Sequence, residues 1–461
     1  MLEADSILVG TMMLGMLAMT LFFIKNDEFL GLVVFFFYTS GITRYNLVVS
    51  GQERWVSVAY SKNIFSLTNE LGLQALNYFF WGTAVFCVAY FIFAMFRKAP
   101  ESFKDDNIIL SSFLTRYQYY IIGAFALIGT VSFYAKLAFI NSFLAGGGGI
   151  AMGGSYYVMI GFGLGGVISL MFLVFSNYDV KTQLINKIIF AVLIAMAGSL
   201  TYSSSGRFQF LSWSITIGII LVGDQNPFYK LRIYLIGGII ISLAFGFAGV
   251  KRRTNTTNMS AAQKVSLAWE RNKSTEDVTM LDGFMMVLQV YPQHLNYHYG
   301  SEHLEILYRP IPRSIWPDKP LGGYANKLGL NDNMGGGSVG ISQSIFGSFY
   351  GEGGFTGIIV FSVLYAALFN YIIVRSLRYS TNVRHLIKGI AIASSVPLLR
   401  GGDLPGIYAF IGMTFWPVFL FLSQYGKYIA LYKFEQMKSF VYSPQPIKKE
   451  TDPIAIENAH I

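Results

Sequence analysis

Eleven apolar runs divide this chain, at about 6–24, 29–48, 75–96, 118–140, 156–176, 187–202, 208–223, 231–250, 354–375, 386–399 and 406–424. A helix needs roughly 20 such residues to cross a hydrocarbon core about 30 Å thick. Several runs approach that length, and the shorter ones fit as tilted or broken helices. Within a bilayer every backbone N–H and C=O must be bonded inside the protein, which leaves helices or a closed barrel. Barrel strands alternate apolar and polar residues over about ten positions, and these runs do not alternate. The fold class is therefore all-α, a polytopic membrane protein with about eleven transmembrane helices. Composition agrees: only 13% of the 461 residues are charged, about half the share in a soluble domain.

The short loops set the orientation. "FRKAPESFKDDN", "NYDVKTQLINK", "DQNPFYKLR" and "VRSLRYSTNVRHLIK" all carry Lys or Arg, and they alternate with "INSFLAGGGGIAMGGS", which carries none. Basic loops stay in the cytoplasm, so this set is inside, as is the polar, basic tail. An odd helix count then puts the N-terminus outside, although the first hairpin, "KNDE", is nearly neutral and fixes no side by charge. The same rule accounts for much of the net charge of +9, and no nucleic-acid module accompanies it. Cys87, the only cysteine, lies in an apolar run and cannot form an intramolecular disulfide. The first run lacks a basic leader and a small-residue cleavage site, so it is expected to stay as a helix.

Four segments result: helices one to eight over 1–250, one external loop over 251–345, helices nine to eleven over 346–424 and a cytoplasmic tail over 425–461. The loop is far too long for a connector. It is expected to hold an interfacial helix near Met259–Glu270 and an apolar stretch, "TMLDGFMMVLQVYP", too short to span and so laid against the bundle or re-entrant. A smaller external loop, about 49–74, carries Arg54, Trp55 and Tyr60, and the tail after Tyr442 reads as disordered.

Within the long loop, "RPIPRSIWPDKP" (309–320) holds four of the chain's 13 prolines. Proline fixes φ and extends the residue before it, so Arg309, Ile311, Trp316 and Lys319, each preceding a proline, belong to a stiff extended strap. Arg207, in "YSSSGRFQF", and Arg400, in "LLRGGDLPG", fall at external turns. The topology thus brings Arg309, Arg313, Lys319, Arg207 and Arg400 to one membrane face. Guanidinium forks match phosphate oxygens and stay charged beside apolar surface, which suits a lipid-linked phosphate or diphosphate. Trp316 fits an interfacial anchor or a sugar-stacking ring. Plainer readings stand beside these: headgroup contacts for Arg309 and Arg313, a helix cap for Arg207, an Arg400–Asp403 pair, and a solvated helix-start residue for Glu352. His294 and His298 share one helical face by spacing, but no further ligand joins them, so no metal site is expected. The glycine runs at 146–149 and 335–337 lack the Lys-Ser/Thr of a phosphate loop.

"YRPIPRSIWPDKP", a glycine-rich gap and then "SIFGSFYGEGGFTG" entering a helix resemble the Wzy-type oligosaccharide repeat-unit polymerases, the O-antigen polymerase class, over roughly 200–405. The resemblance implies a GT-C-like glycosyltransferase of the bacterial inner membrane, multi-pass, with its active site facing the periplasm. Its donor and acceptor would both be undecaprenyl-diphosphate-linked glycans, joined into a surface polysaccharide with release of undecaprenyl diphosphate. It implies no cofactor, no nucleic-acid partner, and a chain-length regulator as a further partner beside the bilayer. In that frame Arg313 and Arg207 grip the diphosphate, supported by Arg309, Lys319 and Arg400. Glu352 is the first candidate for the base, with His294 and Asp403 as rivals. An O-antigen ligase shares the donor, and a flippase for lipid-linked oligosaccharides is the transport alternative, although the charges sit at one face and no internal repeat is visible.

Overall fold

The computed structural model describes residues 2–56, 65–98, 106–144, 161–176, 184–201, 207–253, 279–308 and 342–442, with short pieces at 260–269, 311 and 315–318. Arg309, Arg313, Lys319, Tyr60, both glycine runs and the tail after Tyr442 lie outside them. Among the described residues all regular structure is helical. Among these same residues six helical segments are long and apolar enough to cross a membrane: Ala4–Lys25, Phe29–Val49, Asn69–Met95, Pro227–Ala244, Ser344–Ser376 and Leu404–Glu435. This is the make-up of a helical membrane protein. Rows of exposed apolar side chains, such as Met12, Met13, Met16 and Phe23 on the first helix, fit a surface solvated by lipid.

The helices are α1 (Ala4–Lys25), α2 (Phe29–Phe37), α3 (Arg44–Val49), α4 (Asn69–Met95), α5 (Asp106–Leu144), α6 (Leu164–Ser176), α7 (Leu184–Thr201), α8 (Arg207–Val222), α9 (Pro227–Arg253), α10 (Met280–Val290), α11 (Ser301–Tyr308), α12 (Ser344–Ser376), α13 (Thr381–Arg400) and α14 (Leu404–Tyr442). A π-helical turn, Tyr38–Thr43, joins α2 to α3 without a break. α4 begins six residues before the apolar run does, because Thr68 caps it by accepting the Leu71 N–H. The ninth expected span likewise starts ten residues early, at Ser344. Two compact units divide the chain, Met1–Val418 and Phe419–Ile461. The second consists, among described residues, of the remainder of α14.

In the first unit α4 packs along α12, and both enclose α10, while α8 packs along α13. Small residues permit the close approach: a Cβ on Gly82 of α4 would strike Phe346 and Ile358, and one on Gly389 of α13 would strike Thr216. α13 runs antiparallel to α8, with Gly389 beside Thr216 and His385 beside Gly223. The start of α8 at Arg207 therefore shares an end of the bundle with Arg400. α10 is the apolar stretch of the long loop, and ten of its 11 residues are buried. Asp282 near its start bonds to the Val56 N–H, and Gln289 near its end bonds to Ser66. The helix thus packs against α4 and α12, with its two ends tied to residues of the 49–74 loop. Where the interfacial helix is expected, the described residues at 262–263, 265–267 and 269 are helical.

The opposite end is tied by charge. Arg97 pairs with Asp27, which also accepts from the Tyr90 hydroxyl and the Phe29 N–H. Lys388 pairs with Glu28 and bonds the Asn26 carbonyl, and Lys230 bonds Asn26 and the Gly223 carbonyl. The nearly neutral first hairpin is thereby held to the same end as the basic loops.

Candidate functional site

Glu352 sits where α12 is broken. Gly353 and Gly354 leave helical geometry (Gly354 φ 63°, ψ −146°), so the run is two helices meeting at a kink. Against this kink docks the turn "YHYG" (297–300), with the His298 N–H donating to the Gly351 carbonyl and the Tyr299 N–H to the Glu352 carbonyl. Tyr299 and Gly300 both take positive φ, 49° and 89°. That turn leads into α11 and aims the Gly300 N–H, just before the helix, at the Glu352 side chain.

The Glu352 carboxylate is 1% exposed. Its Oε2 accepts from the Gly300 N–H, and its Oε1 accepts from His303 Nδ1 at 2.6 Å. The imidazole lies parallel to Phe361 at 4.4 Å and 8°, and Tyr365 approaches it edge-on at 5.8 Å. The Tyr365 and Tyr408 hydroxyls bond to each other beside it. His303 Nε2 is buried and has no hydrogen-bond partner among the described residues. Glu302 and Glu305, also on α11, are buried at 5% and 4%.

The Arg400 turn abuts the same helix. Gln343, just before α12, donates to the Gly402 carbonyl at 3.0 Å, and Gly401 lies against the Ser344 carbonyl so closely that a Cβ has no room. Arg400 ends α13, half-buried, and Asp403 starts α14 by accepting the Ile407 N–H through its carbonyl. Arg207 opens α8, but its side chain is not among the described ones. Trp316, 39% exposed, contacts the Tyr308 ring at 5.6 Å, so this one side chain lies against the end of α11. One end of the bundle thus gathers Glu352, His303, Arg400, the start of α8 and the helix that leads into the strap.

The two histidines singled out by spacing do not share a helical face, because α10 ends at Val290 and a turn follows. His298 bonds the Tyr291 hydroxyl at 2.8 Å, and His294 is exposed. Sequence reasoning missed His303. In "SEHLEILY" it reads as one polar residue on a short solvated helix, and only its contact with Glu352, 49 positions away, sets it apart. Arg44 was missed too. Its Nε and Nη2 both bond Asp282 at 2.9 Å, with 2% and 0% exposure on the two side chains. Among the described residues no three His, Cys, Asp or Glu side chains group as metal ligands. Comparison with protein-family models, with curated proteins and with solved structures finds no match.

Proposed function

We propose that the chain is a lipid-diphosphate-dependent glycosyltransferase that polymerises undecaprenyl-diphosphate-linked repeat units on the periplasmic face of the bacterial inner membrane. Its fold on this reading is GT-C-like, with α5 and the shorter apolar helices α6, α7, α8 and α13 completing a set of eleven spans. The observation that carries the reading is the convergence at one end of the bundle. A buried carboxylate–imidazole pair lies there beside the Arg400 turn, and α11 and α8 bring the strap and Arg207 to the same end.

In this reading Arg313 and Arg207 hold the donor diphosphate, with Arg309, Lys319 and Arg400 around them. Preorganised cations favour the charge that develops on a departing diphosphate, because they need not reorient when it forms. Trp316 stacks on a sugar ring, and Glu352 belongs to the proton-handling part of the site. A ligase that passes finished polymer to an outer-membrane lipid would use the same donor site, and product analysis separates the two.

The experiment is reconstitution of the full chain in nanodiscs with undecaprenyl-diphosphate-linked repeat units isolated from a strain lacking the enzyme, run with and without chelator. A ladder of products on a gel supports polymerisation, and Arg313→Ala is expected to remove the ladder while leaving single units on the carrier. Wild-type protein that yields no ladder, or an unaltered ladder from Arg313→Ala, overturns this reading.

A further inference from the structure

We propose that His303 is the group that takes the proton from the acceptor hydroxyl, and that Glu352 is the positioning residue that keeps its imidazole in the accepting form. The inference rests on the transferase reading above and assigns roles within that site.

The Glu352 carboxylate is poorly placed to meet a substrate. It is 1% exposed, and each oxygen already has a donor, Gly300 N–H on one and His303 Nδ1 on the other. An ionised carboxylate only accepts hydrogen bonds, so the short contact to Nδ1 requires the proton to sit on that nitrogen. The neutral ring then presents a lone pair at Nε2. That nitrogen is buried and has no hydrogen-bond partner among the described residues. An unmade buried hydrogen bond costs about 1–3 kcal/mol, and native proteins retain few of them. The cost is intelligible if a substrate hydroxyl completes the set.

The ring cannot turn away to find another partner. Phe361 covers one face at 4.4 Å, and Phe349 stacks beyond it at 23° and 6.3 Å. Tyr365 closes an edge, and Tyr408 stands 6.2 Å off. The titratable groups around the ring are Glu352 and Tyr365 from α12, Tyr408 from α14, and Glu302 from α11 itself. The alternatives differ: His298 has its Nε2 bonded to Tyr291, and His294 lies exposed in the turn.

The step balances as follows. The acceptor sugar oxygen forms a bond to the anomeric carbon of the donor glycan, and the bond from that carbon to the diphosphate oxygen breaks with its electron pair. The hydroxyl proton passes to His303 Nε2, giving an imidazolium that Glu352 stabilises without being protonated. The proton then leaves with water or the released diphosphate.

The test uses the full chain in nanodiscs, with the same isolated lipid-linked repeat units as probe. His303→Ala is expected to lower kcat by about 10²–10⁴-fold while KM for the lipid-linked donor changes little. If that variant does not fold, His303→Gln, which keeps a donor for Glu352, reads the same step. Glu352→Gln is expected to lower kcat with KM for the lipid-linked donor unchanged, and Glu352→Asp, which keeps an acceptor for Nδ1, to retain part of the wild-type rate. A purely structural role would lower the yield of folded protein and leave kcat per folded molecule unchanged. If wild-type protein makes polymer and a folded His303 variant turns over at the wild-type rate, the assignment to His303 is overturned while the transferase reading survives. A folded Glu352→Gln protein with the wild-type kcat overturns the positioning role. A wild-type protein that makes no polymer overturns both.

Discussion

Two buried carboxylate pairs occupy the same end of this bundle and are built alike, yet they are finished differently. Asp282 faces Arg44 across 238 positions of sequence, and Glu352 faces His303 across 49. In each, a backbone N–H from a loop adds a further bond to the carboxylate, Val56 in the first and Gly300 in the second. In the first pair the Arg44 Nε and Nη2 bond both Asp282 oxygens, and Nη2 also reaches the Arg54 carbonyl. In the second, the cationic partner is replaced by an imidazole with one nitrogen in use and the other without a partner among the described residues. A buried pair whose donors and acceptors are all met on the inside works as a clamp. One that leaves an acceptor unmet pays in stability for a place where a ligand can bind.

The largest expected effect comes from breaking the clamp. Arg44→Ala would strand the Asp282 charge in the packed interior and release the 50–56 loop from α10. Removing one partner of a buried pair costs about 3–5 kcal/mol, readable by SDS-induced unfolding in mixed micelles. Replacing both, as Arg44→Met with Asp282→Leu, should recover most of that loss. A double variant as unstable as the single one would show that packing around the pair, not its charge, holds α10 down.

Next in size is Gly401→Ala, which separates the Arg400 turn from the helix that carries Glu352. Gly401 has φ 72° and ψ −171°, a region closed to other residues, and a Cβ there would overlap the Ser344 carbonyl. Backbone cannot yield as a side-chain tip can. Strain and overpacking together make about 2–4 kcal/mol, measured in the same unfolding experiment. A neutral result would mean that the turn and the helix move apart freely.

What the sequence disclosed follows from the range of the interactions. Apolar runs are local features, so the helical membrane class was legible in the sequence. Boundaries were less so where a polar cap sets them, as Thr68 does for α4, or where apolar character starts late, as in α12 with its glycines and serines before the kink. The short apolar stretch in the long loop was recognised as unable to span, and as α10 it lies along the bundle. Neither buried pair could be read, since nothing near Arg44 announces Asp282 and nothing near His303 announces Glu352. Glu352 was picked out because it is an acid placed by sequence next to the strap, whereas His303 sits on an ordinary polar helix.

A buried carboxylate at the far end sharpens the contrast further. Asp27 accepts from Arg97, Tyr90 and the Phe29 N–H. Burial works to raise its pKa, but the charges of Arg97 and then Lys388, with the hydrogen bonds, bring it below the ordinary carboxylate value. A carboxyl group with a depressed folded pKa adds stability above its unfolded pKa and loses it as the pH falls through the folded one. Stability should therefore drop as the medium is acidified below about pH 4, the unfolded range. Asp27→Asn is expected to cost about 1.5–3 kcal/mol at pH 7, the worth of hydrogen bonds to a charged group, and to flatten that acid limb of stability. An Asp27→Asn protein with the wild-type slope would place the acid sensitivity elsewhere.

The smallest effect on stability belongs to the pair that is left open. Gly354, φ 63°, forms the kink beside Glu352, and its added Cβ would meet the tip of the Tyr297 side chain, the hydroxyl at 3.0 Å and Cζ at 3.3 Å. That contact is the far end of a side chain and can give, so Gly354→Ala should cost about 1–2 kcal/mol, mostly backbone strain. Its effect on turnover should be much larger than its effect on folding. Tyr297 lies in the turn whose Gly300 N–H fixes the Glu352 carboxylate, and through Glu352 that turn aims the His303 ring. A displacement of about 1 Å in a positioned group can cost about 10²-fold in rate. A folded Gly354→Ala protein is therefore expected to lose tenfold or more in kcat in the nanodisc assay. If turnover falls only in step with stability, the kink is another clamp, and the distinction between the two carboxylate pairs disappears.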